Sequence, residues 1–171
     1  NITTNNAITF ESAATFENST TVNGGNITFN GATTMDTITM IGRNITFMST
    51  AVFNNSCVVN GSSVIEFNGT TTMDSMIMTG TIIFKDDVEL SDGTVTMNGS
   101  TDFRKKVNGT QDLTINAGTE GTVKFHSPVG GDNNPLGALH ITGTTTINEN
   151  ITTADKDITF KSGGILKAGA P

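Results

Sequence analysis

FNGATTMDTITMIG, Phe29 to Gly42, and FNGTTTMDSMIMTG, Phe67 to Gly80, are nearly the same phrase, written 38 residues apart (67 − 29). A chain that repeats itself at a fixed distance builds one structural unit per repeat, so the period decides the fold. A shorter phrase, apolar-x-apolar closing on Phe, sets that period. It reads AITF to Phe10, NITF to Phe29, NITF to Phe47, VIEF to Phe67 and TIIF to Phe84, at spacings of 19, 18, 20 and 17. Related phrases close on Met97, Phe125 and Phe160. The 38-residue echo is therefore two periods of 18 to 20 residues.

One period reads as three short strands. In NITF, Ile27 and Phe29 fall on one face while Asn26 and Thr28 fall on the other, because side chains alternate along a strand. ATTM again ends on an inward position, Met35, and TITM turns Ile38 and Met40 inward. Asn-Gly, Met-Asp and Ile-Gly separate these pieces as corner signals. No stretch keeps a helical period, and β-branched Thr, Ile and Val dominate. Three such strands bury nothing alone, but stacked coils pair them in parallel about 4.8 Å apart.

The sequence thus predicts an all-β chain folded as a parallel β-solenoid, with 18–20 residues and three short strands per coil. Its core ladder is Phe10, Phe29, Phe47, Phe67, Phe84, Met97, Phe125 and Phe160. Nine coils (171 ÷ 19) would make a rod of about 43 Å at the strand spacing. A hairpin-built sandwich would also use the Asn-Gly pairs. It gives no reason for the Phe phrase to return at a near-constant interval.

The single domain, residues 1–171, reads as regular to about 97 and irregular from 98 to 171. The step from Phe84 to Met97 shortens to 13, and HSPVGGDNNPLGAL, His126 to Leu139, holds two of the three prolines. Loops on a rigid scaffold commonly carry binding. His126, Pro128, Asp132, Asn133, Asn134 and Pro135 therefore form the candidate contact loop.

The net charge of −7 argues against a nucleic-acid partner, which draws on clustered Lys and Arg. Only 15% of residues are charged, and a surface of Asn, Thr, Ser and Gly suits an extracellular or cell-surface location. The absence of Trp and Tyr removes the commonest platforms for stacking on sugars or bases. Cys57, the only cysteine, cannot close an internal disulfide, and its alternating setting NNSCVVN reads as core. Nothing approaches the ~20 apolar residues of a membrane span. The chain opens on Asn1 and reads as a mature chain or a piece of a larger repetitive protein.

The ends rhyme, with NITTNNAITF from Asn1 and NITTADKDITF from Asn150. Open solenoid ends expose unpaired strand edges. The expected partner is accordingly a second copy joined end to end, or covalent continuation of the same coil; a host-surface or glycan ligand is compatible with both.

The best acidic cluster is Asp86, Asp87, Glu89 and Asp92, with Arg104, Lys105 and Lys106 about one coil later. Catalysis or calcium binding there would need these groups to converge. Corner charges are solvated by default, so no catalytic residue, cofactor or metal is assigned. His126 and His140, 14 apart, lack a metal-ligand spacing. The ten N-x-[ST] sequons would accept glycans in a glycosylating host, although Asn at corners followed by Thr in strands produces such triplets automatically. Flat Thr rows on a solenoid can recognise ice. The outward row of the Phe strand is read as Thr9, Thr28, Thr46, Glu66, Ile83, Thr96, Lys124 and Thr159, and its charges argue against that use.

TVKFHSPVGGDNNPLGALHITGTTTINENITTADKDITF, residues 122–160, resembles a degenerate β-strand repeat of large bacterial surface proteins. These are the filamentous-haemagglutinin-like and autotransporter adhesins. The matching elements are Phe125, Val129 to Gly131, Pro135-Leu136, Leu139 and Ile141 to Asn148. The resemblance implies a right-handed parallel β-helix on an exported passenger or filament, with adhesive or structural work and no catalysis. The expected function is that of an extracellular structural or adhesive segment. The alternative is a carbohydrate-active or carbohydrate-binding module on the same scaffold.

Overall fold

The computed structural model describes residues 1–131 and 133–161. It is all-β, and every strand pairing in it is parallel. The strands lie on three faces, which the chain visits in turn. The first face, called the methionine face, runs from Ile2–Thr3 and Thr21–Asn23 up to Leu139–Thr142 and Ile158–Lys161. The second, the phenylalanine face, runs from Ile8–Phe10 and Asn26–Phe29 to Thr122–Phe125 and Thr144–Ile147. The third carries Ala14–Phe16, Thr33–Asp36, Ala51–Asn54, Thr71–Met73, Val88–Leu90 and Val107–Gly109. This is a β-solenoid of three short strands per coil.

The Phe side chains fix the stacking. Phe10, Phe29, Phe47, Phe67, Phe84, Phe103 and Phe125 pair in register from coil to coil, and Ile147 follows Phe125. Neighbouring rings stand 4.7–5.0 Å apart, with interplanar angles of at most 7°. That separation equals the interstrand spacing of a sheet. The near-parallel rings show that successive coils translate with little rotation, unlike the twist of ordinary sheets. Phe53, from the third face, meets Phe47 and Phe67 edge-on at 5.5 and 6.0 Å. Backbone amides knit the same column: the residue after each Phe donates to the Phe carbonyl one coil earlier, as Asn68 N does to Phe47 O at 2.8 Å.

Two readings from sequence need correction. Met97 and Phe160 are not in the Phe file; they belong to the methionine face, where Met78, Met97, Ile115, Ile141 and Phe160 pair in succession. The true successor of Phe84 is Phe103, 19 residues on, so no coil shortens to 13. The following steps, to Phe125 and Ile147, are 22 residues each. These longer coils leave eight rungs in the file among the described residues, not nine. The outward row of the phenylalanine face changes accordingly: Asp102 and Thr146 stand where Thr96 and Thr159 were expected.

The corner between the methionine and phenylalanine faces is lined by glycine. Gly42 pairs with Gly61, and Gly80 and Gly99 follow at the same place on later coils, 19 residues apart each time. At Gly80 (φ +134°) a Cβ would lie 2.3 Å from the Gly61 carbonyl oxygen, and at Gly99 (φ +144°) 2.0 Å from that of Gly80. Coils spaced one strand apart leave no room there for a side chain. The threonines that enter the core are satisfied locally. Buried Thr33, Thr71, Thr101 and Thr145 each donate a hydroxyl hydrogen bond to the carbonyl of the glycine two residues before.

Candidate functional site

The candidate contact loop is tied to the rod at both ends. Val129 is buried and bridges Val107 and Ile151, which continues the third face two rungs beyond Val107–Gly109. Leu136, also buried, bridges Thr153. Between these anchors Asn133 takes a left-handed φ of 61° and Asn134 closes a turn onto the Gly131 carbonyl at 3.0 Å. The Asn134 Nδ2 donates to Glu89 Oε1 at 2.7 Å, two rungs earlier. The excursion therefore lies back along the third face. Pro135 is half-buried, and Asp132 lies outside the described residues.

His126 stands at the corner after Phe125, exposed, with Nε2 2.8 Å from Asp102 Oδ1. Pro128 follows there and accepts from Val107 N at 3.3 Å. Asp102 also accepts from Arg104 Nε at 3.1 Å. His140 is elsewhere, on the outward side of the methionine face, paired with Thr114 and Thr159. The two histidines are not brought together.

Three members of the acidic cluster serve corners, while Glu89 points outward from the strand Val88–Leu90. Asp86 accepts from Asp87 N, Asp87 from Lys106 N, and Asp92 from Gly93 N, at 2.8–3.0 Å. The first and last are local bonds within a turn, and the Asp87 bond ties two successive corners together. Among the described residues no group of three or more His, Cys, Asp or Glu is placed to hold a metal ion. Cys57 is buried, and burial pushes its thiol above the ordinary range.

One carboxylate holds distant segments together. Asp112 Oδ1 accepts from Ala138 N at 2.7 Å and from Lys156 Nζ at 3.2 Å. It thereby fastens the chain where the long excursion rejoins the methionine face. The Ala138 amide holds the Asp112 carboxyl below the usual carboxylate range; partial burial opposes this and Lys156 adds to it. A lowered folded-state value means stabilisation that is complete above the unfolded value and is lost as pH falls through the folded one. With the side chain 43% exposed, solvent screening limits the effect. Acidification below about pH 4 should cost about 1 kcal/mol at this site, and Asp112→Asn should remove that pH-dependent part. Urea midpoints of both proteins between neutral and acidic pH, with amide exchange at Ala138, check it.

The methionine face carries what the sequence reading missed. Its outward residues form two rows, one of Thr21, Thr39, Val58, Ile77, Thr96 and Thr114. The other, two residues further along each strand, is Asn23, Ile41, Asn60, Thr79, Asn98 and Asn116. None of the twelve is charged. By contrast the phenylalanine face points Glu66, Asp102 and Lys124 outward, and the third face Glu89. The next rung of the methionine face brings His140 and Thr142, so both rows are free of ionisable side chains over six coils.

Comparison with protein-family models, with curated proteins and with solved structures finds no match to this chain.

Proposed function

We propose that the chain is a structural or adhesive segment of an extracellular β-solenoid, of the kind carried by bacterial surface adhesins or self-associating surface filaments. The observation that carries this reading is the unbroken Phe file. Among the described residues it commits the core to holding a straight rod, with side chains packed on neighbours one coil away. Strand pairing continues through every coil, and the outermost described strands of the methionine face, Ile2–Thr3 and Ile158–Lys161, keep exposed apolar residues in Ile2 and Ile158. Extending the rod, by further coils of the same chain or by a second copy, covers such residues. A surface low in charge and rich in hydroxyl and amide groups also suits work outside the cell.

Joining is tested by light scattering and electron microscopy across a concentration series. Rods that lengthen with concentration are the expected result for the isolated chain. Strictly monomeric particles at high concentration would confine the reading to covalent continuation. Adhesion is tested separately, by adsorption of the purified chain to cells and glycan arrays.

A further inference from the structure

We propose that the methionine face binds ice, its two outward rows ordering water into the lattice across six coils. This goes beyond the structural role. Sequence reading weighed ice recognition on the phenylalanine face, where Glu66 and Lys124 stand in the way. The structure moves Thr96 and Thr159 off that face and adds Asp102 to it, so the objection strengthens there. It does not apply to the methionine face.

Three observations converge. The first is charge: a neutral lattice offers nothing to offset the desolvation of an ionised group, and the twelve outward positions hold none. Asp74 lies between strands at a corner, and Arg43 stands where the register shifts after Gly42, at the edge of the groove along Ile41, Asn60 and Thr79. The second is regularity. In-register pairing repeats each row once per coil, and the ring separations set that repeat at 4.7–5.0 Å. Water molecules joined by O–H···O bonds of ~2.75 Å at the tetrahedral angle place second neighbours about 4.5 Å apart. Rows of hydroxyls and amides at nearly that repeat can replace waters of such a network. A rotatable Thr hydroxyl both donates and accepts, so it adjusts to a mismatch of about 0.3 Å per coil over a few coils. Ring planes within 7° of parallel keep the face from twisting away from a plane.

The third observation is the mixture of groups. Ile41 and Ile77 are 41% and 47% exposed among Thr and Asn, and shallow grooves flank the two rows on their outer sides, one along Ile41, Asn60 and Thr79, the other along Val58, Ile77 and Thr96. Methyl groups there leave water to bond with itself while hydroxyls and amides pin it. Other occupants fit less well. Among the described residues no exposed large hydrophobic is aromatic, which leaves a sugar polymer without a stacking platform. Ile41, Val58 and Ile77, ringed by Thr and Asn, make too small an apolar patch for the centre of a protein interface.

The test uses the full 171-residue chain. Partition into slowly growing ice and thermal hysteresis are measured beside a non-binding protein of similar size. Two variants place charge on the methionine face, Ile77→Lys and Thr96→Lys. Two controls place it on the phenylalanine face, Thr28→Lys and Thr46→Lys, with circular dichroism confirming the fold of each. The proposal expects enrichment in ice and measurable hysteresis for the unaltered chain and both controls, and loss of both to the level of the non-binding protein in I77K and T96K. Exclusion of the unaltered chain from ice would overturn it. So would equal loss in the controls, or binding to crystalline polysaccharide or to a second copy through this face without any ice affinity.

Discussion

Phe67→Ala should lower stability by about 3–5 kcal/mol, the range for removing a buried aromatic ring from a core. The ring is fully buried, stacked 4.8 Å from Phe47 and 4.7 Å from Phe84, with the edge of Phe53 at 6.0 Å. Its loss opens a cavity in the middle of the file, and no alternative ring can slide in because each is pinned by its own strand. The consequence reaches past the local cost. Coils of a solenoid contact only their neighbours, so stability is a sum of coil and interface contributions. A gap at the fourth rung weakens coupling between the coils on either side. Urea unfolding followed by circular dichroism should shift to a lower midpoint, and the slope against urea should fall as the two parts separate. Phe16→Ala, in the first coil and slightly exposed, should cost less than half as much. Equal costs at the two sites would contradict a file whose strength lies in its continuity.

Gly80→Ala is the second large effect, expected at about 3 kcal/mol although it adds a single methyl group. Two causes add. The φ of +134° is one that L side chains rarely adopt, and the new Cβ would sit 2.3 Å from the Gly61 carbonyl oxygen. Relief requires the coil to move away, which is resisted by the rungs of Met78 on one side of the corner and Ile82 on the other. Thermal melts of G80A beside Gly118→Ala make the comparison. Gly118 also has a positive φ, +77°, but nothing within 4 Å of its would-be Cβ; its φ lies nearer the left-handed well, so G118A gives a lower bound on the conformational part, free of any clash. A G80A penalty no greater than that of G118A would show that close approach of the coils does not matter there.

The period and the β-solenoid were legible because the Phe file obeys a simple rule, one large ring per coil at the end of an alternating strand. The misplacement of Met97 has a specific cause. The phrase demanded an apolar residue two positions before the Phe, and TDF offers Thr101 instead. Thr101 is buried and belongs inward, because its hydroxyl finds the Gly99 carbonyl. A polar letter thus concealed a core position, while TVTM imitated the phrase on a different face. Glycines 42, 61, 80 and 99, at a constant 19, keep a stricter period than the Phe residues. Only Gly61 and Gly99 sit in Asn-Gly pairs, so turn signals alone do not reveal the file. The uncharged face was hidden for a related reason. Deciding that Thr21, Thr39, Thr96 and Thr114 share one row requires knowing which of three similar strand phrases belongs to which side, and alternation alone leaves that open. Of the predicted contact loop, the turn at 133–135 was readable from its Pro and Asn; its seat on Glu89 depends on a rung 45 residues away.

The hydrogen bonds that join the coils point along the rod while the chain itself runs around it. A pull applied at the two ends therefore loads these bonds one rung at a time rather than all together. Each coil that peels off would release roughly 60 Å of slack, since 18 to 20 extended residues replace a single strand spacing. A tether built this way yields in many small steps and keeps the remainder of its length stiff.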